Sequence, residues 1–179
     1  MRKAEILERK TIFQKDWIKI VSSKLKFSNG NIVNWLTPVF GDSVSIVAID
    51  EKKNVLVKEW RVGWDKEVLM TPAGYAGEDT SEKGLLKQAR NELREELNLD
   101  AKKIVKLGTL MPMVRIFFRQ HIFLAQGLYP SVKEKDPLEF VKVYKMPLDK
   151  ALKIFLSGKE ITTAYTVAGL FMAKEKLKL

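Results

Sequence analysis

A loop rich in proline and glycine that runs directly into an amphipathic segment is the feature that most constrains the fold. The loop comprises residues 71–77, Thr-Pro-Ala-Gly-Tyr-Ala-Gly, and the segment spans roughly 82–97. Apolar side chains recur there at helical spacing, at Leu86, Ala89, Leu93 and Leu97. Because three to four residues make one helical turn, this pattern predicts a single helix packed on the core through that stripe.

Strand-like segments surround this helix. A hairpin is predicted over 12–36, with its turn at Asn29-Gly30, since that dipeptide tolerates positive φ. Further strands are predicted at 44–49, 55–60, 104–110, 115–125 and 140–144. One helix is predicted over 148–156. A last helix is predicted to end at about residue 177, and either Thr162 or Thr163 could cap its start. The irregular order predicts an α/β (α+β) sandwich with a mixed sheet rather than a βαβ alternation.

Length and composition limit the class of protein. The chain has 179 residues, of which 46% are hydrophobic, which favours one domain with enough apolar material for a core. It has no cysteine, no run of about 18 apolar residues and no apolar signal-peptide core at its start. We therefore expect no membrane partner and a cytoplasmic location. The one histidine, His121, excludes a His-based metal cluster, and we interpret it as structural.

The net charge of +10 is unevenly distributed. Residues 1–30 carry eight basic and three acidic side chains, and residues 97–179 carry 15 and seven. Residues 78–96 reverse the balance, with six acidic and four basic side chains. An excess of positive charge favours an anionic partner such as a nucleotide or nucleic acid, although lysines kept for solubility explain it equally well.

Three glutamates lie on one side of the predicted helix. Glu92, Glu95 and Glu96 fall within roughly 100° of helical arc, which we expect to be distinct from the leucine stripe. None has a basic residue three or four positions away, and Glu96 has Asp100 at that spacing instead. Clustered carboxylates of this kind suit Mg²⁺, with Mn²⁺ as a substitute, and both ions also take phosphate oxygens. The alternative is a solvated acidic face.

The loop and helix together resemble a known family. Residues 70–99, MTPAGYAGEDTSEKGLLKQARNELREELNL, resemble the signature of the Nudix hydrolases in a degenerate form. Its glutamate-rich half matches residues 92–97 in register, and Pro72-Ala73-Gly74 resembles the loop of the ADP-ribose pyrophosphatase branch. Residues 57–61, 138–141 and 147–158 resemble further segments of that branch in the same order, so the resemblance covers most of the chain.

Four positions depart from the family pattern. Lys83 stands where the pattern has glutamate, Asn91 where it has arginine, Asn98 where it has glycine, and Met70 where a glutamate usually precedes Pro-Ala-Gly. In the family the missing glutamate and arginine brace the loop against the helix. Losing both leaves no buried partner unpaired.

The resemblance implies a fold and an activity. We expect a Nudix-type α/β/α sandwich over 41–179, preceded at 1–40 by a strand or hairpin region that could pack across a homodimer. The implied activity is Mg²⁺-dependent hydrolysis of the pyrophosphate bond of a nucleoside diphosphate derivative, with ADP-ribose or another nucleotide sugar as substrate. A catalytically weak protein of this fold that binds nucleotides or RNA, and an α/β domain whose acidic helix is only solvated, are the alternatives.

The resemblance also implies site residues. Glu92, Glu96 and Glu95 would be metal ligands, with Glu95 a ligand or a partner of one, and the backbone carbonyl of Ala73 would complete the site. Glu139 would be the general base, with Glu134 or Asp136 as alternates. Arg61 would contact substrate phosphate or ribose, since its fork of donors suits oxyanions. Three aromatic residues could stack on a base or serve as core or dimer contacts: Trp60, Trp64 and Tyr75.

Overall fold

The structure, a computed structural model, describes residues 4–51, 53–131 and 141–179. It contains two compact units. The first holds the chain up to Gly41 together with Met111–Arg119, and the second holds Asp42–Leu110 and Gln120–Leu179. Among the described residues, no helix is both long and apolar enough to cross a membrane.

The first unit is built on a three-stranded antiparallel sheet in the order β1-β2-β3. The strands are β1 (Ala4–Lys15), β2 (Ile18–Phe27) and β3 (Ile32–Val39). The predicted hairpin is present as β2 and β3, and Gly30 in its turn has a φ of +87°. The prediction missed β1, which turns into β2 at Asp16 with a φ of 51°, a left-handed conformation that aspartate tolerates better than most residues.

The segment Met111–Arg119 packs within the first unit. The N–H of Phe117 donates to the carbonyl of Pro38 at 2.9 Å, and the N–H of Phe40 donates to the carbonyl of Phe117 at 3.0 Å. The predicted strand 115–125 is therefore wrong at its start. Phe117 uses its backbone groups to pair with Pro38 and Phe40, and the strand begins only at Gln120.

The second unit is a mixed seven-stranded sheet with three helices. Its strands are β4 (Ser43–Asp50), β5 (Lys53–Arg61), β6 (Lys66–Met70), β7 (Ala73–Tyr75), β8 (Leu99–Leu110), β9 (Gln120–Pro130) and β10 (Val141–Met146). Its helices are α1 (Glu82–Leu97), α2 (Leu148–Leu156) and α3 (Ala164–Leu177). The strand order is β10-β5-β4-β9-β8, and β4 and β9 run parallel.

The two shortest strands position the site. Strands β4 and β5 pair directly only at residues 48–50 and 53–55. Beyond that point β6 pairs with β5, and β7 pairs with the start of β4. Thr71 and Pro72, the two residues between β6 and β7, therefore carry the chain from pairing with β5 to pairing with β4. The sequence analysis assigned all of 71–77 to a loop and missed both short strands.

Helices cover both faces of this sheet. Side chains that alternate along β4 divide between the two layers, as a central strand requires. Val44, Ile46 and Ala48 belong to the cluster that contains α1, whereas Val47 and Ile49 belong to the cluster that contains α2 and α3. Three layers result, and α1 is the one helix of the described residues that covers its side of the sheet.

The bounds of α1 agree with the sequence prediction, but its buried face does not. Ser81 caps the helix by accepting a hydrogen bond from the N–H of Gly84 at 3.2 Å, and Asn98 ends it with a φ of 53°. Asparagine thus performs the left-handed turn for which the family pattern has glycine. Leu85 is buried, whereas Leu86 is 38% exposed, so the stripe prediction was wrong at that position.

Candidate functional site

Two carboxylates of α1 are buried rather than solvated. Glu92 is 6% exposed and Glu96 is 2% exposed, and both share the buried face of the helix with Leu93 and Leu97. The expectation of an acidic face distinct from the leucine stripe was therefore wrong. Burying a carboxylate is costly unless hydrogen bonds or opposite charge compensate it. Two buried carboxylates one helical turn apart consequently indicate a site rather than a solvated surface.

Glu96 contacts the segment between β6 and α1. The N–H of Ala73 donates to Glu96 Oε1 at 3.1 Å. Ala73 belongs to β7, where it pairs with Ser45 of β4, and the carbonyl of the preceding Pro72 accepts a hydrogen bond from the N–H of Ile46 at 2.9 Å. The sheet therefore fixes the backbone that binds this carboxylate.

Glu92 lies against the neighbouring glycine. A Cβ added at Gly74 would overlap the Glu92 carboxylate, so only glycine allows this close approach. Gln88 donates from Nε2 to Glu92 Oε1 at 2.7 Å, and Asn91 donates from Nδ2 to Gln88 Oε1 at 3.4 Å. Sequence reasoning missed the orienting role of Gln88. Its position four residues before Glu92 was the available signal.

Hydroxyl groups join the start of α3 to this segment. Thr166 is fully buried, and its Oγ1 accepts a hydrogen bond from the N–H of Thr71 at 3.0 Å. The hydroxyl groups of Thr71 and Thr163 also lie 3.2 and 2.8 Å from that atom. Thr162 donates to the carbonyl of Leu69 at 2.7 Å. We call Thr71, Thr162, Thr163 and Thr166 the threonine cluster; it attaches α3 to the residues just before Ala73.

Glu95 is only partly buried, unlike its two neighbours. Among the described residues, no group of three or more His, Asp or Glu side chains is arranged to hold a metal ion. The three carboxylates thus do not form a ready three-ligand group in this structure. The roles predicted for Glu92, Glu95, Glu96 and Ala73 stay predictions.

Asp100 does not add to the acidic cluster, contrary to the spacing argument. The helix ends before it, and Asp100 in β8 forms ion pairs with Arg90 and Arg94. Burial raises the pKa of the Asp100 carboxyl, but the hydrogen bonds from Arg94 and the N–H of Ala101 and the charge of Arg90 outweigh burial, so its pKa lies below the usual value. The two arginines of α1 therefore attach the helix to the start of β8.

Arg61 lines a cleft next to the β5–β6 turn. Its guanidinium donates to Glu59 Oε2 at 2.8 Å. The cleft has a volume of about 630 Å³, and we call it the hairpin cleft. The residues that line it include Glu59, Trp60, Arg61, Trp64, Thr162 and Thr163. Of the three aromatic stacking candidates, Trp60 and Trp64 line it, whereas Tyr75 lies in β7 and donates to Glu78 at 3.0 Å.

The remaining candidates lie away from these contacts or outside the described part. His121 is buried in β9, with Nδ1 3.0 Å from the Thr109 hydroxyl and Nε2 3.4 Å from Asp42 Oδ2, which agrees with a structural role. The predicted general base Glu139 and its alternates Glu134 and Asp136 lie outside the described residues.

The three-layer arrangement of a mixed sheet between α1 and the α2–α3 pair confirms the expected Nudix-type α/β/α fold class. A solved structure described as the crystal structure of an ADP compounds hydrolase is similar to this chain with a TM-score of 0.86. The match has 27% sequence identity and covers 99% of this chain and 96% of that chain. No family model and no curated protein matches the sequence.

Proposed function

We propose that this protein hydrolyses the pyrophosphate bond of a nucleoside diphosphate derivative in a Mg²⁺-dependent reaction, with ADP-ribose or another nucleotide sugar as substrate. The observation that carries the proposal is the burial of Glu92 and Glu96 against Ala73 and Gly74. Similarity over nearly the whole chain to an ADP compounds hydrolase supports it.

The donor types at the site, rather than a ready-made ligand geometry, suit a hard divalent cation. Carboxylate and backbone carbonyl oxygens are the ligands that Mg²⁺ takes, and Mn²⁺ accepts the same set. The missing Cβ at Gly74 leaves room for the Glu92 carboxylate beside the backbone of the segment. Glu92, Glu96, Glu95 and the Ala73 carbonyl would hold the ion. When bound, Mg²⁺ neutralises diphosphate charge and lowers the pKa of a coordinated water.

The chain itself fixes the positions of these ligands. The Ala73 N–H holds one oxygen of Glu96, and the Gln88 amide orients Glu92. Arg61 would bind phosphate or ribose oxygens, since its side chain is 46% exposed and can turn from Glu59 to a ligand. Pre-positioning of this kind lowers the barrier because the groups need not reorganise during the reaction.

A general base is still needed to take a proton from the attacking water. We propose Glu139 for this role from its place in the sequence, with Glu134 or Asp136 as alternates, and with Glu95 as a further carboxylate on α1. Replacing each of the four by glutamine and comparing the pH profiles of kcat would identify the base, because only its loss removes the acidic limb of the profile.

We further propose a homodimer and a cytoplasmic location. The first unit exposes large apolar side chains, and an apolar surface of this kind favours a protein partner. They include Ile12, Phe13, Trp17, Ile32, Trp35 and Leu36. Light scattering that gives the mass of one chain at micromolar concentration would refute the dimer.

The test of the activity is a matched pair of glutamine variants. Glu96→Gln keeps an oxygen that can accept from the Ala73 N–H but removes the charge, so we expect an intact fold and a loss of about 10²–10³ in kcat, the scale of a lost charge-stabilising group. Glu82→Gln changes an exposed glutamate in the first turn of the same helix and should leave kcat unchanged.

The assay is product formation from a panel of nucleoside diphosphate sugars with Mg²⁺, and again with a chelator. No product from any of them at enzyme concentrations far above catalytic levels would refute the proposal. Full activity of the Glu96→Gln variant would refute the role of the buried pair.

A further inference from the structure

The hairpin cleft exposes two of the three aromatic residues that the sequence offers as candidates for base stacking. Two tryptophans line it, with exposed fractions of 46% for Trp60 and 65% for Trp64. Indole rings bury large apolar areas when they contact a partner, so such exposure indicates an unfilled contact surface. A volume of about 630 Å³ lies within the roughly 300–1,000 Å³ common for small-molecule sites.

We propose that the hairpin cleft binds the aromatic base of the nucleotide substrate, with an indole of Trp60 or Trp64 as the stacking surface. The proposal rests on the function proposed above and adds the position and chemistry of base recognition. A flat π-system matches a flat base, and such stacking tolerates different bases because each has an aromatic face.

Polar groups around the cleft suit the edges of a base. Glu59 offers a carboxylate that accepts hydrogen bonds, and the hydroxyl groups of Thr162 and Thr163 can donate or accept. When Arg61 turns from Glu59 to a phosphate or ribose oxygen, the Glu59 carboxylate is left as an acceptor for the base edge. A site of this kind fixes orientation with few polar groups among apolar walls.

Hydrogen bonds and a short backbone segment connect the cleft to the acidic pair. Thr162 in its wall donates to the carbonyl of Leu69, Thr166 accepts from the N–H of Thr71, and the N–H of Ala73 donates to Glu96. Five consecutive residues, 69–73, thus join the cleft to the proposed metal ligands. We expect the phosphates attached to a base in the cleft to extend along this segment towards those ligands.

The environment of Tyr165 agrees with this proximity. Burial raises the pKa of its phenol, Thr163 and Arg61 lower it, and the carboxylates of Glu96 and Glu59 raise it. The Tyr165 phenol in the first turn of α3 therefore lies within electrostatic range of both Arg61 and Glu96.

The test measures binding of AMP by calorimetry to the full chain in the presence of a chelator. AMP has a base but no pyrophosphate bond, so binding is separated from hydrolysis. We expect Trp64→Ala or Trp60→Ala to weaken binding about 5- to 150-fold, the range for loss of one stacked base. The phenylalanine variant at the same position should retain binding within a few fold. Tyr129→Ala is the matched control, because it removes a 40% exposed aromatic ring of β9 that does not line the cleft, and it should bind as the unaltered chain does.

Ribose 5-phosphate distinguishes the base from the rest of the nucleotide. It should bind at least tenfold more weakly than AMP. Equal binding of the two compounds, no binding of AMP, or unchanged binding by both alanine variants would overturn the inference. Binding of AMP at the tryptophans without hydrolysis of any nucleotide sugar would instead refute the proposed function and leave the base site standing.

Discussion

Gly74→Ala tests whether the close approach between the glycine and Glu92 matters for activity. The added Cβ would lie 2.5 Å from Glu92 Cδ, whereas ordinary contacts begin at 3.4 Å. The carboxylate must therefore move by roughly 1 Å, and a misplacement of about 1 Å can cost about 100-fold in rate. We expect kcat/KM to fall by about 100-fold, equivalent to about 2.7 kcal/mol of transition-state stabilisation.

The assay is steady-state hydrolysis of ADP-ribose with saturating Mg²⁺, together with thermal unfolding. Only a side chain has to move, so we expect the melting temperature to change by a few degrees at most. Gly63→Ala is the control for the thermal measurement, because a Cβ there meets nothing within 4 Å and its φ is not in the left-handed range. The melting temperature of Gly63→Ala measures the effect that replacing a glycine with alanine has through the unfolded chain.

A double variant connects the loss to Glu92. Glu92→Asp shortens the side chain by one methylene and removes the overlap with an alanine at position 74. The double variant should therefore be no less active than Glu92→Asp alone, a non-additive result expected of residues in contact. Unchanged kcat/KM for Gly74→Ala, or additive losses in the double variant, would refute the reasoning.

Two further predictions concern stability. Asp100→Asn removes the anion paired with Arg90 and Arg94 and should cost about 2–3 kcal/mol, below the full value for a buried pair because both arginines are partly exposed. Since the pKa of Asp100 is lowered by folding, its contribution is complete above the unfolded value of about 3.9 and is lost as pH falls through the lower folded value. The free energy of unfolding in urea, measured between pH 3 and 7, should fall less at acidic pH for the variant than for the unaltered chain. An equal fall in both proteins would contradict the assignment. Thr166→Val leaves the buried N–H of Thr71 without its acceptor and should lower the free energy of unfolding by about 1–3 kcal/mol. Thr166→Ser keeps the hydroxyl acceptor and should lose much less stability, as measured by the same urea unfolding.

Local signals in the sequence sufficed for α1, α2 and the hairpin turn. The bounds of α1 follow from Ser81 and Asn98, whose side chains and backbone act within one helical turn, so no distant contact is needed to place them. The turn at Gly30 follows for the same reason. The identity of Glu92, Glu96, Ala73 and Arg61 as candidates also came from spacing and resemblance within short segments.

Other features could not be predicted because they depend on distant partners. Strands β6 and β7 exist through pairing with β5 and β4. The pairing of Asp100 with Arg90 and Arg94 requires the chain to reverse after α1, which a count of helical spacing cannot include. The assignment of Leu86 to the core failed because the sheet, and not the helix, determines which side is covered.

The sequence by itself determined the helices, the turn between β2 and β3, the mixed α/β class and the residue types that could hold a metal ion and bind phosphate, since these depend on interactions within a few residues. Only the tertiary structure decided which carboxylates are buried, that Gly74 admits Glu92, and that the threonine cluster joins the hairpin cleft to the acidic pair. Burial and hydrogen bonding across 90 or more residues of chain arise when the layers pack, and no local pattern encodes them.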